Sequence, residues 1–550
     1  MTRTLTIPLQ LERLRGNDPT TMPVVSDSSP LPELVFAIAG PIGVDIDAIC
    51  ASLTDALRSV RYDAQIIHLT EEMMMYRPRK KIARPSEKDF YTEVNFKIKY
   101  ANALCAEFES SGTLARIAMR SIAEVRKRLS GARSRLPQTS TAYIIRQLKR
   151  PEEVALLRRV YGKQFVLVSA YGSLERRLKL IEERLKHSLS PATSEADISK
   201  KARELTAIDA LEEGNDYGQR LRDTFQLGDV FIDGMSKQEM DQKLDRFIQA
   251  FFGRTDIAPS KEEYGMYAAK SASLRSSDLS RQVGAAIFTD DGELVTQGCN
   301  EVPKAMGGTY WDSEEPDFRD VRLGYDPNDI LKKDILRDLL DRLSQHALLS
   351  TKAKTLGPLD EMVKKLIHRR TPGTDEKDGA LTNSAIMDVT EYGRVVHAEM
   401  CAICDAARLG RSVKGATLFC TTFPCHNCTK HILAAGIKRV VYMEPYPKSK
   451  AKDLHQNEIE IENEAPGRVA FVPFLGISPF RYRDIFQKTI KRKRDDGTAK
   501  RWLAETERPM IDVTFDAYVD IELEEYSSLF VKIEPSATRS MSKGSKRKKK

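Results

Sequence analysis

Two short stretches of the chain concentrate side chains able to bind a metal and move a proton: His397-Ala-Glu399 and Cys425-His-Asn-Cys428. With only eight histidines and eight cysteines in 550 residues, that density in one window points to a single site. Tetrahedral zinc is bound by thiolates and imidazole nitrogens, and a catalytic zinc keeps one position open, so three protein ligands are expected. His397, Cys425 and Cys428 supply three. Such an ion lowers the pKa of a bound water toward about 7, and Glu399 remains beside it to take that proton and hand it on. The chemistry this combination can do is zinc-assisted hydrolysis.

The elements that must position these groups follow from the spacing. His397 and Glu399 are two apart, which on a helix separates their directions by about 200°. Both reach one ion only if it lies over the N-terminal end of a helix, expected at 397–409. Cys425 closes a strand expected at 417–423, and Cys428 falls one turn into a helix expected at 426–435. Both sulfurs then face a helix N-terminus, whose partial positive charge favours thiolate. A helix over 261–277, a hairpin around Asp290-Asp291-Gly292, and strands at 439–444 and 468–474 complete an α/β/α sandwich on a mixed five-stranded sheet. Cys401 and Cys404, at i+4 and i+7 from His397, and Cys420 within the strand are expected as core thiols. His426 and His431 are assigned no metal.

The N-terminal half carries a different pattern. A buried strand beginning at Leu34 runs into Gly40-Pro-Ile-Gly43 and then a helix, the order of a phosphate-binding loop. Gly40 and Gly43 are the candidate nucleotide-binding loop, although Val44 and Asp45 stand where a Walker loop has lysine and then serine or threonine. With strand, helix, strand and basic helix following over 141–185, including "LKRPEE", residues 34–250 resemble nucleoside-monophosphate-kinase-like P-loop domains. The resemblance implies a doubly wound α/β unit.

The expected organisation is a mobile arm at 1–31, the kinase-like domain at 32–255, a second domain at 256–490 interrupted by an insertion at about 311–393, and an extension at 491–550. Six of the eight net positive charges lie in the last ten residues, "MSKGSKRKKK", a solubilising tail that leaves the body nearly neutral. The apolar run "LVFAIAG" is too short to cross a bilayer, and the first thirty residues lack the apolar core of a secretory signal. No membrane association and a cytoplasmic location are expected, where clustered cysteines bind metal rather than pair as disulfides.

H-x-E followed by P-C-x-x-C is the pattern of the zinc deaminases, in which the glutamate is not a ligand. Together with "SLRSSDLSRQVGAAIF", "QGCNEVP", "KGATLFCTTFPCHNC" and "ILAAGIKRVVYMEPYPKS", it makes residues 260–475, apart from the insertion, resemble the deoxycytidylate deaminase family. With the kinase-like domain in front, the whole chain resembles two-domain anti-phage deaminases of free deoxycytidine nucleotides. The resemblance implies Zn2+ as cofactor, Glu399 as proton shuttle, and hydrolysis of dCTP and dCMP that depletes dCTP during infection. It further implies assembly as a homo-oligomer, with a regulatory nucleotide or RNA as a possible partner. By the same resemblance Asn300 hydrogen-bonds the sugar, although Cys299 stands where tyrosine is usual. Arg275, Arg281, Lys304 and Lys448 are candidates for the phosphates by position. Two other classes stay open: a polynucleotide base deaminase, and a nucleotide-sensing binding protein with a structural zinc.

Overall fold

In a computed structural model of the chain, residues 31–529 are described apart from 87, 132–135, 372–373, 375, 390–391, 447–448, 489–490, 505–507 and 512–516. The arm expected at 1–31, except its last residue, lies outside the described residues, as do Lys448 and the basic tail.

All six residues of Leu34–Ala39 (β1) are buried, Leu34, Phe36 and Ile38 in one core and Val35, Ala37 and Ala39 in another. A parallel strand covered on both faces requires this uninterrupted apolar run. Asp63–Ile67 (β2), Thr141–Ile145 (β3), Phe165–Tyr171 (β4) and Val230–Asp233 (β5) join it in the order β2-β3-β1-β4-β5, all parallel. Ile46–Ser59 (α1) covers one face, and Thr113–Ser130 (α2) and Pro151–Tyr161 (α3) cover the other. Leu221–Phe225 (α4) leads into β5, and Lys237–Phe251 (α5) returns to the face of α1.

The second layer opens with Lys261–Ser273 (α6), whose Ser260 and Glu263 form a reciprocal capping box. Gly284–Phe288 (β6) and Leu294–Cys299 (β7) pair as a hairpin. The chain then makes its long excursion through Pro327–Gln345 (α7) and Leu359–Ile367 (α8), which share a small core of Leu336, Leu340, Met362 and Val363. A bridge between Glu301 and Val396 clasps the base of that excursion. Ala398–Arg408 (α9), Thr417–Thr422 (β8), His426–Ala434 (α10), Arg439–Glu444 (β9), Ile459–Ile461 (β10) and Val469–Pro473 (β11) follow. The sheet order is β10-β11-β9-β8-β6-β7, so the expected five strands are corrected to six. The additional strand is three residues long and flanked by Glu458 and Glu462 at the sheet edge. Its Ile-Glu-Ile alternation covers only three residues, too short a run to announce a strand by itself. Met266, Ala268 and Ala269 of α6 pack on one face, while α9 and α10 pack on the other.

The two layers interlock. Gly476–Ile477 (β12) pairs antiparallel with β5, adding a strand to the first sheet from within the segment expected to finish the second domain. The Ile477 amide donates to Glu263 (3.0 Å), and Arg246 of α5 donates to both oxygens of the same carboxylate (2.6 and 2.8 Å). Ala517–Ser527 (α11) docks on α2, where buried Arg126 bridges Glu522 and Glu33. Among the described residues no helix is long and apolar enough to cross a membrane.

Candidate active site

Helix α9 lies unusually close to the sheet because its inward face is Ala398, Ala402 and Ala406, all wholly buried, opposite Gly298 of β7. The Thr296 hydroxyl, also on β7, donates to the Ala402 carbonyl (2.9 Å). This packing fixes the first turn of α9, where His397 is the N-cap and Glu399 follows two residues later. At the next strand end, Cys425 caps α10 and its sulfur accepts the backbone N–H of Cys428 (3.4 Å). The two helix N-termini converge.

The His397 Nδ1 atom lies 3.4 Å from the Cys425 sulfur and 3.3 Å from the Cys428 sulfur, and the three ligand atoms all fall within 4.8 Å of one another. Tetrahedral Zn–S and Zn–N bonds place sulfur and nitrogen about 3.6 Å apart, so the residues present fit a zinc ion. The hydrogen bond from Cys428, followed by His397, pulls the Cys425 thiol down to about 4, whereas Cys428 is pushed well above the usual thiol range by Cys425 and by burial. The contact with the Cys425 sulfur raises the His397 imidazole to about 9. Glu399 is buried against this cluster, and desolvation raises its carboxyl above the ordinary range.

His397, Glu399 and Cys425 lie in the wall of a cavity of about 730 Å³, a volume typical of small-molecule sites. Phe423 and Tyr446 supply aromatic faces. Asn300 also reaches the wall, with its amide clamping a neighbouring segment: Nδ2 donates to the Arg281 carbonyl (2.6 Å) and Oδ1 accepts from the Val283 amide (2.7 Å). Each end of that amide retains capacity for one more bond.

Of the candidate phosphate ligands, Arg281 lines the cavity, bonded to Glu444 and to Thr422 (2.9 Å). Arg275 is turned elsewhere, stacked 4.1 Å over the Trp311 ring and bonded to Cys299 and Thr309. Lys304 pairs with Glu314. Cys401 and Cys420 are buried, but Cys404 is exposed, correcting the expectation of a core thiol. The buried stripe of α9 is centred on Ala398, Ala402 and Ala406 rather than on His397, and position 404 lies well off it.

Four contributors to the wall that sequence reasoning missed bear on what it can bind. Asn328 and Lys332 come from the first turns of α7 in the insertion, and Arg222 with Gln226 comes from the α4 segment of the first layer. Nothing local marks them: the excursion between β7 and α9 folds back to bring the first pair, and the interlock of the layers brings the second.

Gly40 and Gly43 do form the turn between β1 and α1, and Gly43 adopts φ +100° with Arg177 packed where a Cβ would sit (2.9 Å). Three backbone amides of this loop, Ile42, Val44 and Asp45, are engaged within the protein. The Ile42 amide donates to the Asp209 carboxylate (2.7 Å), which Lys149 also grips (2.6 Å), and Asp45 caps α1. A carboxylate thus sits where a phosphate-binding loop would hold its anion.

Residues 259–444 match the family model of the cytidine and deoxycytidylate deaminase zinc-binding region. The chain is 51% identical over 55 residues to the deoxycytidylate deaminase of Enterobacteria phage T2, a stretch covering 10% of this chain and 29% of that protein. It is 36% identical over 109 residues to the cytosine deaminase of Candida albicans, covering 20% and 65%. The chain therefore spans less than a third of the length of the phage relative. Among solved structures, the dCMP deaminase of cyanophage S-TIM5 in complex with dCMP and dUMP aligns at 18% identity and a TM-score of 0.21, covering 40% of this chain and 98% of that one.

Proposed function

We propose that this chain, which carries the zinc-binding region of the cytidine and deoxycytidylate deaminases over residues 259–444, is a zinc-dependent hydrolase that converts free deoxycytidine nucleotides to deoxyuridine nucleotides. The observation that carries the reading is the convergence of His397, Cys425 and Cys428 within 4.8 Å beside a buried Glu399 on the wall of one nucleotide-sized cavity.

His397, Cys425 and Cys428 would hold the zinc. Bound there, the ion supplies Lewis acidity that makes water a nucleophile near neutral pH. Glu399 is the proton carrier: its carboxylate takes a proton from the attacking water and gives it to the ring nitrogen, then takes the proton left on the newly bonded oxygen and gives it to the amine as the C–N bond breaks and ammonia leaves. Burial keeps bulk water from competing for that proton. Phe423 and Tyr446 offer faces for the pyrimidine, and Asn300 can add one bond to the sugar from the capacity its clamp leaves.

The substrates in this reading are dCMP and dCTP, and the resemblance adds depletion of dCTP in phage infection. A free nucleotide is favoured over a polynucleotide because the insertion and the first layer both contribute walls to the cavity, whereas a single strand needs an open basic groove with successive aromatic platforms. The first layer is read as a kinase-like fold serving as scaffold, since Asp209 and Lys149 occupy its loop.

Purified protein offered dCMP, dCTP, CTP and a cytosine-containing oligonucleotide tests the assignment by ammonia release. Turnover of the deoxynucleotides is expected. Activity confined to the oligonucleotide would move the protein to the polynucleotide class; ammonia from none, with zinc bound, would make the zinc structural.

A further inference from the structure

We propose that Arg222, on the α4 segment of the first layer, is the residue that binds the substrate's phosphates, so that the deaminase site is completed by the kinase-like unit. The inference rests on the nucleotide reading above and goes beyond it in naming a specificity determinant outside the zinc-binding region.

The cavity wall is rich in carboxylates, which oppose a phosphate unless cations offset them. Most of its cations are already committed. Arg281 is bonded to Glu444 and Thr422. Arg394 is bonded to Asp320 (2.9 Å) and to the Phe318 carbonyl (3.0 Å). Lys332, nearly buried, pairs with Asp329 (2.7 Å) and reaches the Met387 carbonyl (3.3 Å). Arg222 differs: its ion pair is a loose 3.8 Å approach to the adjacent Asp223. Its planar donor fork remains available for bidentate recognition of a phosphate, the geometry for which guanidinium is suited.

The mount of Arg222 is rigid at both ends. Leu221 is buried in the first layer's core, the Arg220 amide donates to the Lys149 carbonyl (2.9 Å), and Ser169 of β4 donates to the Phe225 carbonyl (2.6 Å). Just beyond, the Gln226 amide lies within 2.8–2.9 Å of both Glu444 oxygens on β9, so the orientation that satisfies both groups turns its nitrogen toward that carboxylate. The segment therefore spans the two layers, and its anchored backbone presents Arg222 at the cavity wall.

The test compares wild type with Arg222→Gln and Arg222→Lys, using dCMP and dCTP as substrates and deoxycytidine, which has no phosphate, as a competitive inhibitor. Arg222→Gln should raise KM for both nucleotides roughly 10- to 100-fold, the scale of one lost bond to a charged group, with kcat nearly unchanged and the deoxycytidine Ki unchanged. Arg222→Lys should recover part of the loss. Binding of dCMP to the Glu399→Gln variant, with and without Arg222→Gln, gives the same comparison without turnover. An unchanged nucleotide KM, or a deoxycytidine Ki that rises in proportion, would overturn the assignment and leave the nucleotide reading standing. Wild-type protein inert toward both nucleotides would overturn that reading and this assignment with it.

Discussion

Gly298→Ala perturbs the site without touching any of its functional side chains. A Cβ at position 298 would lie 2.3 Å from the Ala398 carbonyl oxygen, 2.5 Å from the Ala402 nitrogen and 3.0 Å from the Cys401 Cβ. Ordinary contact begins at 3.4 Å, and two of the three obstacles are helix backbone, so no rotamer change relieves the clash. Helix α9 must retreat from β7 by about 1 Å, at the overpacking cost of roughly 1–3 kcal/mol. His397 and Glu399 flank Ala398 and move with it, while Cys425 and Cys428 ride on α10 and stay. A shift of that size is comparable with half a zinc–ligand bond, and a 1 Å misplacement of catalytic groups costs on the order of 100-fold. Three measurements on one preparation separate the effects: thermal unfolding, zinc content, and ammonia release from dCMP. The expected result is a folded protein with kcat/KM about 100-fold lower and a weaker hold on zinc. A lowered melting temperature with kcat/KM within about twofold of wild type would show that the first turn of α9 is not set by this contact.

Other outcomes follow from the same geometry. Glu399→Gln should lower kcat by at least about 10²-fold while zinc content stays unchanged; loss of the metal would instead make Glu399 a ligand. His397→Ala or Cys425→Ala should lose zinc and turnover together, and retention of zinc at wild-type affinity would refute the ligand set. In the buried cluster beneath α11, Arg126 serves two carboxylates, Glu33 and Glu522, and burial raises Glu522 from 4.5 to about 7 against the pull of Arg126. Because the folded value is the higher, its stabilising contribution is whole below about 4.5, declines as pH rises through about 7, and is lost above that. Hydrogen exchange in α11, corrected for intrinsic rates, should quicken from about pH 6 to about pH 8, and Glu522→Gln should flatten the change. Protection independent of pH in wild type would exclude this linkage.

The convergence of His397, Cys425 and Cys428 was legible because its information is local. Two ligands share one strand–helix junction, the third caps a helix, and helix-cap chemistry fixes their directions before any tertiary contact is known. Strand β1 was legible for a similar reason, being one apolar run between turn signals. What the sequence hid depends on contacts between distant segments. Alanines at 398, 402 and 406 set the depth of the helix, but they signify close packing only once Gly298 is known to lie opposite. Ile459–Ile461 and Gly476–Ile477 are too short to be read as strands from their own pattern, and each is a strand by virtue of the partner it pairs with. Arg222 sits in a polar stretch that reads as an ordinary solvated loop, and Lys332 on a helix rich in charged residues, where one more lysine carries no signal. Gly40 and Gly43 show the converse, a local signal of phosphate binding that distant Asp209 answers with its own carboxylate.

The central claim is that His397, Cys425 and Cys428 hold the ion on which turnover depends. Its most direct test is to strip the metal from purified protein and titrate zinc back while following ammonia release from dCMP. Activity should rise in proportion to zinc and stop rising at one equivalent per chain. Release that is indifferent to added zinc, or that stays absent with the site full, would contradict the account.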